Sequence, residues 1–298
     1  LRVVPVSGRR SEEAVVDSNG SKEVKDGDLV EVEIQQTRSF GLKRAKVINV
    51  LSHENDQNLI SLISINEFDI PTEFTPEAIS LAEQAQPVKI SNGREDLRDI
   101  NLITVDGEDA RDFDDAIWAE EDKNPHNSNG WRMIVAIADV AHYVSNGDPL
   151  DIDARKRGNS VYFADRVVPM LPENLSNGLC SLKPNEDRGC LAVEIIIDQF
   201  GHKKSHRFIR GVMRSKARLT YEQLEETFNG NKNACSPEIM KLAKSLRGAY
   251  NALSDAREKR GALNIETTEK VIKINDKGKI DSILPRERLE SHKVIEEF

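Results

Sequence analysis

Cysteine is scarce: the 298 residues contain only Cys180, Cys190 and Cys235, and none forms a Cys-x-x-Cys pair. That argues against a structural zinc site or a disulfide framework and fits a reducing compartment, so a cytoplasmic protein is expected. Long apolar runs are missing too. The best stretch, Met133 to Ala141, is broken by Asp139 and falls short of the 18 or more residues of a membrane span, so no membrane partner is expected. Net positive charge is absent: Lys and Arg total 42 against 51 Asp and Glu, a net charge of -9. A globally basic nucleic-acid coat is thereby excluded. No internal repeat is visible, and Leu1 to Pro5 runs into Gly8-Arg9-Arg10 without the apolar core of a signal peptide. The chain starts at Leu1 and stops at Phe298 inside a helical pattern, so a fragment at both ends is expected.

What is present suits an α+β protein of about two domains. From Asp26 to Val50 the run Gly-Asp-Leu-Val-Glu-Val-Glu-Ile alternates apolar and polar residues, and Ala45 to Val50 follows after Phe40-Gly41. Two antiparallel strands result. With earlier strands from Leu1 to Val16, residues 1–55 read as a partial β-barrel of the OB type, a common oligonucleotide platform. Residues 56–98 read as a connector, with Thr75-Pro76-Glu77 opening a short helix through Glu83. Residues 99–298 read as one mixed unit. Strands are expected over 100–105, 113–119, 132–138, 191–198, 207–213, 268–274 and 279–284, and helices over 220–228 and from 289. A long amphipathic helix is expected over 237–260, with Ile239, Leu242, Ala243, Leu246, Tyr250 and Leu253 at helical spacing.

Between the first two of those strands, six of the ten side chains from Asp106 to Asp115 are carboxylates. Such density repels itself, and divalent cations would neutralise it. An EF-hand fails on spacing: with Asp106 as its first position, the sixth is Arg111 rather than Gly and the twelfth is Ile117 rather than Glu. Hard oxygen donors without a nearby Cys point to magnesium, with manganese as the substitute, and to phosphoryl-transfer chemistry in which several aspartates hold two ions. A solvated acidic loop and another cation site stay open on spacing alone.

The run Thr104 to Ala116, followed by Val135-Ala-Ile-Ala-Asp-Val140 and Pro169-Met-Leu-Pro-Glu-Asn-Leu-Ser-Asn-Gly-Leu-Cys-Ser-Leu182, resembles the ribonuclease II/ribonuclease R family, nearer to the ribonuclease R members. The resemblance extends from the Gly27 to Val50 strands, similar to a cold-shock-like OB domain, through Ser291-His-Lys-Val-Ile-Glu-Glu-Phe298. It implies a truncated RNB catalytic domain behind the barrel, and a processive, magnesium-dependent, hydrolytic exoribonuclease. Such an enzyme works from the 3' end of RNA with a single-stranded tail, releases nucleoside 5'-monophosphates and needs no small-molecule cofactor. Carried over residue by residue, Asp106, Asp112 and Asp115 are metal ligands and Asp114 is the residue most needed for the chemical step; all four form the catalytic centre. Glu108 and Asp109 match the pattern without a catalytic role. Tyr162 matches the family tyrosine that stacks on a base near the 3' end, a contact any base can make. His142 is read as structural.

An acidic chain must hold RNA through local positive surface. Seven Lys/Arg and no acid occur from Lys203 to Arg218, so Arg207 and Arg210 are candidate RNA ligands; Arg38, Lys43, Arg44 and Lys46 form a smaller set on the barrel strands. A solvated strand face is the bland alternative for the longer segment. Two other functions remain open at this point. One is a catalytically incomplete RNA-binding fragment or relative. The other is a hydrolase of small phosphate esters, which would have little use for the barrel.

Overall fold

Period-two patterning yields the first strands, β1 (Arg2–Val3), β2 (Ala14–Val16), β3 (Leu29–Gln35) and β4 (Lys43–Ser52). The computed structural model describes residues 1–6, 13–16, 24–35, 41–53, 59–91, 93–263, 268–275 and 280–298; Arg38 and Phe40 lie outside them. Along the chain follow α1 (Leu59–Glu67), α2 (Pro76–Gln84), β5 (Glu95–Asp96), β6 (Ile103–Asp106), β7 (Asp115–Glu121) and β8 (Trp131–Ala138). Next come α3 (Pro149–Arg157), β9 (Val161–Tyr162), β10 (Val167–Val168), β11 (Asp187–Ile197), β12 (Lys203–Arg214) and β13 (Ala217–Thr220). The last elements are α4 (Tyr221–Phe228), α5 (Pro237–Lys259), β14 (Lys270–Ile274), β15 (Ile280–Pro285) and α6 (Glu290–Glu297). Contacts sort these into two units, one of Leu1–Glu73, Ser160–Val168 and Glu269–Pro285, the other of Phe74–Asn159, Pro169–Thr268 and Arg286–Phe298.

In the first unit a four-stranded sheet has the order β1-β2-β4-β3, with β2 parallel to β4 and β3 antiparallel to it. Its core is small: Ala14, Val16 and Ala45 are buried, with Val3, Val32 and Val47 against them. Helix α1 was not among the expected elements of the connector; inside it, the Ser64 hydroxyl and the Asn66 amide donate back to the carbonyls of Ile60 and Leu62. The ribbons β9-β10 and β14-β15 each pair only with themselves among the described residues. Neither ribbon joins the larger sheet, and both sort with this unit although they fall inside the 99–298 stretch.

The second unit is a seven-stranded mixed sheet of order β13-β6-β7-β8-β11-β12-β5. Its two end pairs, β13 with β6 and β12 with β5, are parallel, and the pairs between them are antiparallel. Both faces are covered. One packs Ala116, Ile134, Ala136 and Ile209 against α2, α3 and the segment around Leu175. On the other, Ile103, Ile117 and Met133 meet α4, α5 and α6. Caps define the helices: Thr75 precedes Pro76 and accepts from Ala78 N–H, and Ser236 precedes Pro237 and accepts from Ile239 N–H. Thr220 and Gln223 form a reciprocal capping box at the start of α4. The α5 stripe buries Ile239, Leu242, Ala243 and Leu246 as the spacing predicts, each large side chain contributing about 1.5–3 kcal/mol.

The turn from β11 to β12 depends on Gly201, whose φ is +78 and whose missing Cβ would stand 2.1 Å from the Ala252 carbonyl oxygen on α5. Gly201→Ala is expected to lower unfolding free energy by about 2–4 kcal/mol, from left-handed backbone strain together with overpacking. A denaturant midpoint equal to that of the wild type would contradict this packing.

Candidate active site

The acidic run lies where three strand ends meet. Asp106 closes β6 and pairs with Thr220 at the end of the parallel strand β13, while Asp115 opens β7 opposite Ile137 of β8. The intervening backbone is tethered from several sides. Asp114 C=O accepts from Ala138 N–H at 2.9 Å, and Phe113 C=O accepts from Leu182 N–H at 2.8 Å. The Ser181 hydroxyl donates to Arg111 C=O at 2.8 Å and accepts from Phe113 N–H at 3.1 Å. Arg218 donates to the carbonyls of Gly107 and Glu108 at 2.5 and 2.8 Å, and its guanidinium lies 5.6 Å from the centre of the Phe113 ring. These tethers explain why β7 begins at Asp115 rather than at Phe113.

Carboxylates held this close resist ionisation together. Burial first, then Asp115, with smaller pushes from Asp112 and Asp114, raises Asp106 to about 7 against the opposing pull of Arg218. Asp114 is raised to about 6 by desolvation and then by Asp112 and Asp115. Burial raises Asp115 as well. Asp106 Oδ2 is buried and accepts no hydrogen bond, an unusual state for a carboxylate oxygen and one that a cation would satisfy. The donor set is all oxygen, which suits magnesium or manganese. Among the described residues no three acidic, imidazole or thiol groups converge as they would around a bound ion. The fit therefore rests on the orphaned oxygen and the mutual repulsion. A cleft of about 720 Å³ borders the loop and is lined by Arg111, Phe113, Asn174, Asn177 and Lys183; the four aspartates do not line it.

The other sequence candidates fall elsewhere. Tyr162, 63% exposed on β9, and Lys43 and Arg44, exposed at the start of β4, belong to the first unit. Arg207 and Arg210 are committed to carboxylates. Arg207 binds Glu194, its direct cross-strand neighbour, and Glu95, while Arg210 binds Asp139. Arg214 and Lys216 likewise meet Asp187 and Glu238. Arg207, Arg210, Arg214 and Lys216 thus each meet a carboxylate of the same unit, while Lys203 and Lys204 stand exposed at the start of β12. His142 sits exposed in a short turn, edge-on to Tyr143. Burial pushes the Cys180 and Cys190 thiols up to about 12, which removes thiolate chemistry near neutral pH. Sequence reasoning missed Ser181 and Arg188. Arg188 is buried and donates to the carbonyls of Ser181, Asp187 and Gly178.

A family model described as RNB domain matches residues 94–298, and one described as cold shock domain matches residues 3–75. Ribonuclease R of Vibrio parahaemolyticus is 41% identical over 99% of this chain and 36% of its own length; ribonuclease R of Escherichia coli is 36% identical with the same coverage. The chain spans about a third of the length of these curated relatives. Among solved structures, Mycoplasma genitalium RNase R in complex with ribose-methylated single-stranded RNA superposes with a TM-score of 0.85 at 26% identity, covering 95% of this chain and 44% of that one. No helix among the described residues is long and apolar enough to cross a membrane.

Proposed function

The chain belongs to the RNB domain family, and on that premise we propose that it is an exoribonuclease part that shortens RNA hydrolytically and processively from a single-stranded 3' end in the cytoplasm. The observation that carries this reading is the orphaned Asp106 Oδ2 within a cluster of mutually repelling carboxylates. Asp106, Asp112 and Asp115 would hold magnesium, or manganese in its place. Bound there, two such ions supply Lewis-acid chemistry for phosphodiester hydrolysis. Asp114, with its affinity for protons raised toward neutrality, accepts a proton on a carboxylate oxygen as water attacks phosphorus. The bond from phosphorus to the 3' oxygen breaks, that oxygen takes a proton, and the products are a nucleoside 5'-monophosphate and an RNA one residue shorter with a free 3' hydroxyl. Gly107, Phe113 and Arg111 contribute through their backbones, which keep the acidic loop in place.

Holding the RNA falls to the cold-shock-like barrel and to Tyr162, whose exposed ring offers a stacking surface for a base worth about 1–3 kcal/mol. Lys43→Glu with Arg44→Glu is expected to weaken RNA binding and to flatten the dependence of log affinity on log salt by about 1.4, two phosphate contacts at about 0.7 each for a single strand. An unchanged slope would remove these residues from the interface. The activity itself is tested by incubating 5'-labelled RNA bearing a single-stranded 3' tail with the chain and magnesium. A descending ladder that chelation stops is expected; RNA bound but never shortened would contradict the reading.

A further inference from the structure

Ser181 lies outside the acidic run and holds no charge, yet its side chain meets the loop at two points that bracket one proposed metal ligand. Its hydroxyl donates to Arg111 C=O at 2.8 Å and accepts from Phe113 N–H at 3.1 Å, the residues immediately before and after Asp112. The next residue continues the contact, with Leu182 N–H donating to Phe113 C=O at 2.8 Å. Ser181 and Leu182 are both fully buried, at 0% exposure, so water does not compete for these bonds. Ser181 is itself fixed from behind: Arg188 Nε donates to its carbonyl at 2.9 Å, and another nitrogen of that guanidinium reaches Gly178 C=O at 3.2 Å. A hydroxyl is one of the few side-chain groups that can donate and accept at once within this space.

We propose that Ser181 is a positioning residue for the carboxylate centre: its hydroxyl sets the backbone on both sides of Asp112, and so the direction in which the Asp112 and Asp114 side chains are presented. The proposal rests on the reading of that centre given above. A residue acting this way leaves RNA affinity alone and alters how well the carboxylates hold a cation and how fast the chemical step runs. Groups that orient metal ligands typically change affinity or activity by about 10–100-fold when removed.

The test uses the 298-residue chain and the variants Ser181→Ala, which deletes the hydroxyl with little change of shape, and Ser181→Thr, which keeps it. Manganese affinity is read by titration without RNA, and kcat and KM are read on a 3'-tailed RNA at saturating magnesium. The expected result for Ser181→Ala is about 10–100-fold weaker manganese binding and a kcat lower by a similar factor, with KM unchanged and with recovery in Ser181→Thr. If the alanine variant fails to fold, the pair Ser181→Thr and Ser181→Val, alike in shape, isolates the hydroxyl by the same two readings. Manganese affinity and kcat that do not depend on the hydroxyl would overturn the proposal alone. A wild-type chain that neither binds manganese nor shortens RNA would overturn the reading of the centre and this proposal with it.

Discussion

Asp114→Asn is expected to slow RNA shortening by about 10²–10⁴-fold, the usual contribution of a positioned proton acceptor, while leaving RNA affinity unchanged. The substitution keeps the size of the side chain and removes only its charge and its capacity to take a proton. Its effect on stability has the opposite sign. Asp114 is raised to about 6 by desolvation and by Asp112 and Asp115, so the folded chain is strained by that charge near neutral pH, and a neutral amide relieves the repulsion. The variant should therefore melt no lower than the wild type, the pattern of a residue kept for function at the expense of stability. A variant that lost activity and stability together would point to a structural residue instead.

The second large effect concerns stability. Asp139, 2% exposed just beyond β8, accepts from Arg94 at 2.6 Å and from Arg210 at 2.8 Å. The Arg94 side chain is only 7% exposed and that of Arg210 is 47% exposed, so removing Asp139 strands Arg94 as a buried, uncompensated cation. Asp139→Ala is expected to cost about 3–5 kcal/mol, whereas Arg94→Met combined with Asp139→Leu should recover most of the loss, since a buried ion pair replaced by apolar side chains is often neutral. Burial alone would raise the Asp139 carboxyl, but the hydrogen bonds from Arg210 and Arg94 outweigh it and hold the group below its ordinary value. With the folded value lowered, the stabilisation is fully present above the ordinary carboxylate range near 3.9 and is lost as pH falls through the folded value. Urea midpoints for wild type and variants at pH 7 and in the acid range check both statements, and equal midpoints for wild type and Asp139→Ala at pH 7 would contradict the first.

Much of this was legible because it is local. Helix α2 announces itself through Thr75-Pro76 and α5 through the apolar spacing from Ile239 to Leu253, and the aspartates stand together in ten residues. What stayed hidden depends on distant pairing. Strand β13 has four residues and is stabilised only as the parallel neighbour of β6, which no pattern of that length encodes. Helix α3 carries charges around its surface and is held from a distance by Asp153, which accepts from Thr75. The pairing of the basic run on β12 was hidden as well, because a count of lysines and arginines does not reveal that Glu194 and Asp187 lie directly across the ladder from Arg207 and Arg214. Ser181 is 70 residues from Arg111 in the chain, and nothing in a serine marks it as a support for a carboxylate.

The most direct test of the central claim, that these aspartates hydrolyse RNA from its 3' end, is to identify the product released from a 3'-tailed RNA by wild type and by Asp114→Asn under magnesium. Wild type is predicted to release nucleoside 5'-monophosphates from the 3' end and to leave a ladder of 5'-labelled RNA, and the variant to bind the same RNA and release almost none. Internal fragments, 3'-phosphate products, or equal release by Asp114→Asn would contradict the claim and place the chemistry outside this cluster.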